Sequence, residues 1–124
     1  MSETKKILII EDERPLARAL ELKLTHVGFE TKIAVNGEEG LAILQKESFD
    51  LILTDLVMPK VDGFAVLTAL RERGNTTPVI VLTNLSQAED ESRARTLGAA
   101  GFLVKSDISV SEIVERIKYV FEAP

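Results

Sequence analysis

Five short apolar runs recur along the chain, and each is followed by a polar residue and then by a segment with helical spacing. The runs are residues 7–10, 31–35, 51–54, 78–83 and 99–104. Three of them, residues 7–10, 51–54 and 78–83, are almost continuously apolar, which is typical of strands covered on both faces in a parallel sheet. Residues 31–35 alternate more with polar side chains, and this pattern favours an edge strand.

The segments between these runs carry the signals of amphipathic helices. The first begins near Pro15 and is predicted to end at Gly28, which can adopt a left-handed conformation. Gly74 is predicted to end the third helix in the same way. The inward faces are predicted to be formed by Leu16, Leu20, Leu24 and Val27; Leu41 and Leu44; Val66, Leu67 and Leu70; and Ile113, Val114, Ile117, Val120 and Phe121.

Capping residues predict where the later helices start. A short polar side chain can accept a hydrogen bond from a free backbone N–H group, and a glutamate three residues later can return one. The predicted caps are Asn36 with Glu39, Asp62, Ser86 with Glu89, and Ser109 with Glu112. Five strand–helix units in alternation predict one α/β domain over residues 1–124, with a mostly parallel sheet, right-handed crossovers and helices on both faces.

Composition narrows the classes of function. Hydrophobic residues make up 45% of the 124, which is enough for one core, and 20 acidic against 15 basic residues give a net charge of −5. This excess of acid argues against direct nucleic-acid binding. Cysteine is absent, no apolar run approaches the ~20 residues of a membrane span, and residues 1–6 lack the apolar region of a secretory signal. We therefore expect a cytoplasmic protein without membrane contact.

Candidate chemistry lies at the carboxyl ends of four of the predicted strands. Glu11 and Asp12 follow the first, Asp55 follows the third, Thr83 ends the fourth, and Lys105 follows the fifth. Because the carboxyl ends of parallel strands share one edge of the sheet, these side chains should converge. Taken singly, each has a plainer interpretation as a solvated helix start, a turn residue, a strand-end cap or an exposed amine. Their joint placement favours a site.

Converging carboxylates can hold a hard divalent cation such as Mg²⁺. One of them, Asp55, could then attack a phosphoryl group while the cation and the Lys105 ammonium offset charge on the transferred oxygens. Thr83 offers a hydroxyl that could turn towards a phosphoryl oxygen. Phosphorylation of Asp55 could therefore be transmitted as movement of the loop after the fourth strand.

With these residues in order, the chain resembles the receiver domain of a two-component response regulator, of the single-domain kind found in chemotaxis. The resemblance rests on Glu11 and Asp12, on residues 55–59 with Gly63 following, and on Thr83 and Lys105, and it spans essentially the whole chain. It implies a flavodoxin-like fold with five helices and the strand order 2-1-3-4-5, which is known from chemotaxis receivers.

The resemblance also implies roles for individual residues. It makes Asp55 the phosphoacceptor, and Asp12 the acidic ligand nearest a Mg²⁺ ion. The other implied roles are Glu11 acting on the metal mainly through water, the Val57 backbone carbonyl as a further ligand, Thr83 as the switch hydroxyl, Lys105 as the phosphate partner, and Phe102 as an aromatic that changes rotamer on activation. Phe102 is interpreted equally well as core or interface filler.

The implied partners are a sensor histidine kinase or a phosphotransfer protein, and a downstream protein bound through helix four, strand five and helix five. The chain would be a phosphoacceptor that assists its own phosphoryl transfer and slow dephosphorylation, and not an enzyme acting on a separate substrate. It would be a monomer or a phosphorylation-dependent homodimer. It is either a stand-alone regulator or a receiver cut from a longer protein near residues 123–124.

Three rival functions share parts of this pattern. A flavodoxin would need a phosphate loop after the first strand, where Glu11, Asp12 and Glu13 would repel phosphate. A phosphatase with an aspartyl intermediate would need an acid at Val57. A receiver used as a phosphorylation-independent binding module would be expected to lose Asp55, Asp12 or Lys105, and all three are present.

Overall fold

The computed structural model describes residues 4–122. The prediction that residues 1–6 lack a secretory signal falls partly on residues 1–3, and the predicted boundary with a longer protein falls on residues 123–124; both sets of residues lie outside this range. The elements are β1 Lys6–Ile10, α1 Arg14–His26, β2 Glu30–Ala34, α2 Gly37–Lys46, β3 Leu51–Thr54, α3 Gly63–Glu72, β4 Val79–Thr83, α4 Ala88–Thr96, β5 Gly101–Val104, a 3-10 turn Lys105–Asp107 and α5 Val110–Glu122.

The five strands form one parallel sheet in the order β2-β1-β3-β4-β5, so the predicted fold class is confirmed. Helices α1 and α5 pack on one face and α2, α3 and α4 on the other, over two apolar clusters. β3 lies in the middle of the sheet. Ile10 lies opposite Thr54, so the residues that follow them leave the sheet side by side.

Most of the predicted helix starts are confirmed. Asn36 Oδ1 accepts a hydrogen bond from the Glu39 backbone N–H at 2.8 Å, and Asp62 Oδ1 accepts one from Ala65 at 2.8 Å. At the start of α5, Ser109 and Glu112 form a reciprocal capping box. The left-handed stops are also confirmed, with φ at +106° for Gly28 and +72° for Gly74.

The predicted capping box at the start of α4 is wrong. The helix begins at Ala88, and Gln87 is its N-cap with no side-chain hydrogen bond. Ser86 therefore precedes the cap by one residue, and Glu89 is the second helical residue where a capping box needs the third. The fifth strand is also shorter than predicted, because the Ala99 N–H bonds to the Ala94 carbonyl at 3.0 Å and so closes α4 before the strand starts.

Two predicted inward positions are more exposed than expected. Val27 is 38% exposed, because it is the C-cap of α1, where the chain turns into Gly28, and Ala17 fills the buried face of this helix instead. Val120 in α5 is 36% exposed. None of the helices within residues 4–122 combines the length and the apolar character that crossing a membrane requires.

Candidate functional site

The polar residues at the carboxyl ends of the strands meet in one crevice at the edge of the sheet. Asp12, Asp55, Thr83 and Lys105 line it, and the buried Glu11 contacts Lys105 from behind. The crevice has a volume of about 300 Å³. Its remaining lining residues are Glu13, Val57, Asn84 and Leu85. The convergence expected from the strand pattern is therefore present in the structure.

Asp55 follows β3 directly, and its carboxylate is held from two sides. The residue is only 5% exposed. Its Oδ1 atom accepts hydrogen bonds from the backbone N–H groups of Leu56 at 2.6 Å and Val57 at 3.3 Å. Its Oδ2 atom accepts one from Lys105 Nζ at 2.7 Å. The carboxylate is thus oriented by the loop that follows β3 and by a lysine from beyond β5.

Gly63 explains how this loop keeps its shape. The Gly63 N–H donates to the Leu56 carbonyl at 2.9 Å, so the start of α3 packs against the residues that carry Asp55. A Cβ atom at position 63 would lie 2.1 Å from the Asp55 backbone oxygen and 2.7 Å from the Leu56 Cα. A side chain at this position would therefore push the Asp55 loop out of place.

The acidic pair after β1 consists of two different carboxylates. Glu11 is 2% exposed, and burial raises its pKa to about 7, although hydrogen bonds from the Glu13 backbone and Lys105 act in the opposite direction. Asp12, in contrast, is exposed. Glu11, Asp12 and Asp55 each offer a carboxylate oxygen, and these atoms lie within 4.8 Å of one another. This all-oxygen donor set fits Mg²⁺, which prefers hard oxygen ligands.

Lys105 is the positive centre of the site. Its side chain is 9% exposed, and its Nζ atom lies 2.9 Å from Glu11, 2.7 Å from Asp55 and in contact with Glu13. Burial by itself would lower the pKa of Lys105, but the hydrogen bonds to Asp55, Glu13 and Glu11 raise it above its ordinary value. The ammonium is therefore firmly charged.

Glu13 is the residue of the site that the sequence interpretation missed. Glu11, Asp12 and Glu13 are adjacent carboxylates that repel one another unless water or a cation relieves them. In the structure, the cation that relieves two of them is Lys105. The third acidic residue of the run was the available signal, but its partner lies 92 residues away.

Thr83 and Val57 lie where the sequence predicted. Thr83 is 1% exposed, and its Oγ1 atom accepts a hydrogen bond from the Leu85 N–H at 3.3 Å, which ties the hydroxyl to the start of the loop before α4. Val57 also lines the crevice, and the residue is 59% exposed. Neither arrangement by itself tests the role that the resemblance implies.

Phe102 is not part of this crevice. It is partly buried in β5 and packs against the apolar cluster on the α2, α3 and α4 face. It also lines a separate surface cleft of about 200 Å³ between α4 and α5, together with Arg95, Arg116 and Tyr119. Phe102 therefore contacts the face predicted to bind a downstream protein, while the other predicted site residues meet at the end of the sheet.

The chain matches one known protein family over most of its length. The family profile of the response regulator receiver domain matches residues 7–118. The chain belongs to this family. Receiver domains typically bind Mg²⁺ at such an acidic pocket, and those of response regulators pair with histidine kinases. Members of this family act in general as phosphorylation switches in two-component systems.

Curated relatives include longer proteins. The receiver domain is 40% identical over 116 residues to the probable transcriptional regulator ycf27 of Porphyridium aerugineum, covering 94% of this chain and 48% of the relative. It is 35% identical over 114 residues to the transcriptional regulatory protein PcoR of Escherichia coli, covering 92% of this chain and 50% of the relative. The chain therefore spans about half the length of these relatives.

Solved structures resemble the receiver domain over nearly its full length. The Vibrio cholerae chemotaxis protein CheY4 aligns with a TM-score of 0.87 and 29% identity, covering 95% of this chain and 99% of that one. The Francisella response regulator 1452 receiver domain aligns with a TM-score of 0.89 and 28% identity, covering 96% and 98%. The phosphorylated cyanobacterial phytochrome response regulator RcpA aligns with a TM-score of 0.85 and 28% identity, covering 98% and 96%.

Proposed function

We propose that this receiver domain is a switch that is activated when Asp55 accepts a phosphoryl group. The observation that carries the proposal is the setting of the Asp55 carboxylate. It is buried, oriented by two backbone N–H groups and paired with Lys105, in a crevice that also contains Asp12 and Thr83. The expected donor is the phosphohistidine of a sensor histidine kinase or of a phosphotransfer protein.

In the proposed transfer, an Asp55 carboxylate oxygen forms a bond to phosphorus as the phosphorus–nitrogen bond of the phosphohistidine breaks. The bonding electron pair stays with the imidazole nitrogen. The hydrogen bonds from Leu56 and Val57 fix the direction of the carboxylate, which favours in-line attack. Lys105 is positioned to offset negative charge on the transferred oxygens.

Metal binding belongs to the same proposal. Glu11, Asp12 and Asp55 would hold Mg²⁺, with the backbone carbonyl of Val57 as a further ligand. When bound, Mg²⁺ would offset the negative charge of the carboxylates and the phosphoryl oxygens. The fit of the three carboxylate oxygens supports this assignment.

The conformational change that follows phosphorylation would start at Thr83. Its hydroxyl would turn to donate a hydrogen bond to a phosphoryl oxygen on Asp55, and would leave the Leu85 N–H that it now accepts from. The loop before α4 would then move, and Phe102 would change rotamer in the face formed by α4, β5 and α5. A downstream protein or a second copy of the chain would recognise that face. Residues 1–124 acting as one unit, and a cytoplasmic location, stay predictions.

Phosphorylation can be tested by intact mass spectrometry after incubation with acetyl phosphate, with and without Mg²⁺. We expect one phosphoryl adduct that depends on Mg²⁺ and is absent in Asp55→Asn. Asp107→Asn is a matched control, because it makes the same change at an exposed site two residues from Lys105. It should label like the wild type.

Two results would contradict the proposal. Labelling of Asp55→Asn at the wild-type level would exclude Asp55 as the acceptor. A wild-type domain that takes no phosphoryl group from acetyl phosphate or from a phosphorylated histidine kinase would favour a phosphorylation-independent binding module.

A further inference from the structure

The Lys105 ammonium has three hydrogens and three carboxylate partners. They are Glu11, Asp55 and Glu13. Since an ammonium group donates only three hydrogen bonds, each new acceptor must displace one of these partners. A phosphoryl group on Asp55 would bring such new acceptors to the ammonium.

Burial decides which partner can leave. The side chains of Glu11 and Asp55 are 3% and 7% exposed, whereas that of Glu13 is 54% exposed. Removing the ammonium from a buried carboxylate leaves a charge or an unsatisfied hydrogen-bond acceptor away from water, which is costly. A half-exposed carboxylate is solvated by water when it leaves an ion pair, and such pairs contribute little to stability. Glu13 is therefore the partner that is released most easily.

The Glu13 side chain makes no capping hydrogen bond to α1. Glu13 is nevertheless the N-cap residue of this helix. Its helical contact is made by the backbone, whose carbonyl accepts a hydrogen bond from Ala17 at 3.0 Å. A change from glutamate to glutamine should therefore alter the charge next to Lys105 and leave the helix intact.

We propose that Glu13 is a releasable counter-ion of Lys105, which competes with the phosphoryl group on Asp55 for the lysine ammonium and so weakens the phosphorylated state. This inference rests on the proposed function of Asp55. Glu13 is a positioning residue, because it acts on the phosphoryl group through Lys105. It holds the amine in the crevice before phosphorylation, and the charge of its carboxylate opposes the arriving phosphoryl oxygens.

The first test uses beryllofluoride with Mg²⁺ as a non-covalent substitute for the phosphoryl group. We expect Glu13→Gln to bind beryllofluoride about fivefold more tightly than the wild type, since an exposed ion pair is worth up to about 1 kcal/mol. Glu38→Gln is the matched control. It removes the same charge from the first turn of α2, where Glu38 is 67% exposed and 3.7 Å from Lys60.

A second comparison asks whether the effect passes through Lys105. In a Lys105→Ala background, Glu13→Gln should leave beryllofluoride affinity unchanged. An equal gain in that background, or the same gain in Glu38→Gln, would overturn the inference in favour of a general charge effect.

A third measurement needs neither metal nor phosphoryl substitute. The side-chain NMR signal of the Lys105 ammonium should show slow hydrogen exchange in the wild type and faster exchange in Glu13→Gln. Unchanged exchange would overturn the inference by itself. The proposed function would be contradicted by a different result, namely a wild type that neither binds beryllofluoride nor takes a phosphoryl group. In that case the exchange measurement would still test the contact between Glu13 and Lys105.

Discussion

Two helices pack on the same face of the sheet beside the crevice, and they are held in very different ways. Helix α3, which follows the Asp55 loop, buries Gly63, Phe64, Val66, Leu67 and Leu70 among its ten residues. Helix α4, which follows Thr83, buries only Ala94 among its nine. We refer to α3 with the Asp55 loop as the fixed wall of the crevice, and to α4 with residues 84–87 as the adjustable wall.

The difference separates two tasks. The fixed wall keeps the Asp55 carboxylate in place, because moving α3 would expose a large apolar surface. The adjustable wall is attached by the buried Ala94, by the partly buried Leu85, and by the Arg93 guanidinium, which lies over the Phe64 ring at 4.0 Å from its centre. A change in hydrogen bonding at Thr83 can therefore displace α4 at a much lower cost than it could displace α3.

The largest effect is expected from Gly63→Ala, which disturbs the packing of the fixed wall. The new Cβ would meet backbone atoms that no rotamer change can move. We expect a loss of about 3 kcal/mol in the free energy of unfolding, measured by urea denaturation, together with weaker labelling of Asp55. Gly101→Ala is the control, because its Cβ would lie at an ordinary 3.5 Å from Ile80. Equal stability of the two variants would break the comparison.

The pH dependence of stability should come from Glu11, which follows β1 and shares the Lys105 ammonium with Asp55, and not from the adjustable wall. The pKa of Glu11 is raised from 4.5 to about 7 by burial, so the folded domain binds this proton more tightly than the unfolded chain does. The contribution of Glu11 protonation to the stability of the fold is complete below pH 4.5 and is lost as the pH rises through 7. We expect it to lower the free energy of unfolding by up to about 3 kcal/mol over this range.

Urea denaturation at several pH values, in the absence of Mg²⁺, measures this decline. Glu11→Gln should remove the decline. In the wild type, NMR should show pH-dependent shifts at the end of β1 and around Asp55 but not in α4. A decline that persists in Glu11→Gln would assign the effect to another group.

The smallest effect is expected from Arg93→Ala, which loosens the adjustable wall. Losing the stack on Phe64 should cost about 1 kcal/mol and should speed hydrogen exchange of the α4 amides while α3 is unaffected. Arg95→Ala is the control. Its ion pair with Glu91 is about half exposed on both sides and should contribute about 0.5 kcal/mol or less. If both variants change α4 equally, the stack is not what attaches the helix.

The sequence predicted the fixed wall better than the adjustable one. Val66, Leu67 and Leu70 form a clear inward stripe and Asp62 a clear cap, so α3 was located correctly. In α4 no comparable stripe constrains the start, and the local Ser86 and Glu89 signal misled the prediction. The strand order itself came from the resemblance, because apolar runs do not specify which strands are neighbours.

The site shows a similar division. Asp55, Thr83 and Lys105 could be placed together, because parallel strands end at a common edge. The role of Glu13 depends on the reach of a long side chain from the start of α1 to a lysine beyond β5. Neither spacing nor periodicity carries that information.

The charges of α4 have a mechanical consequence. Glu89, Asp90 and Glu91 lie in its first turn and Arg93 and Arg95 in its last, so both helix ends complement the helix dipole. Glu91 and Arg95 are also bridged at 3.0 Å, one turn apart. Interactions within α4 thus supply part of its stability, whereas α3 is stabilised mainly by apolar residues buried in the core. When the contacts of α4 with the core are released, the helix should therefore move as a rigid body and keep its helical structure.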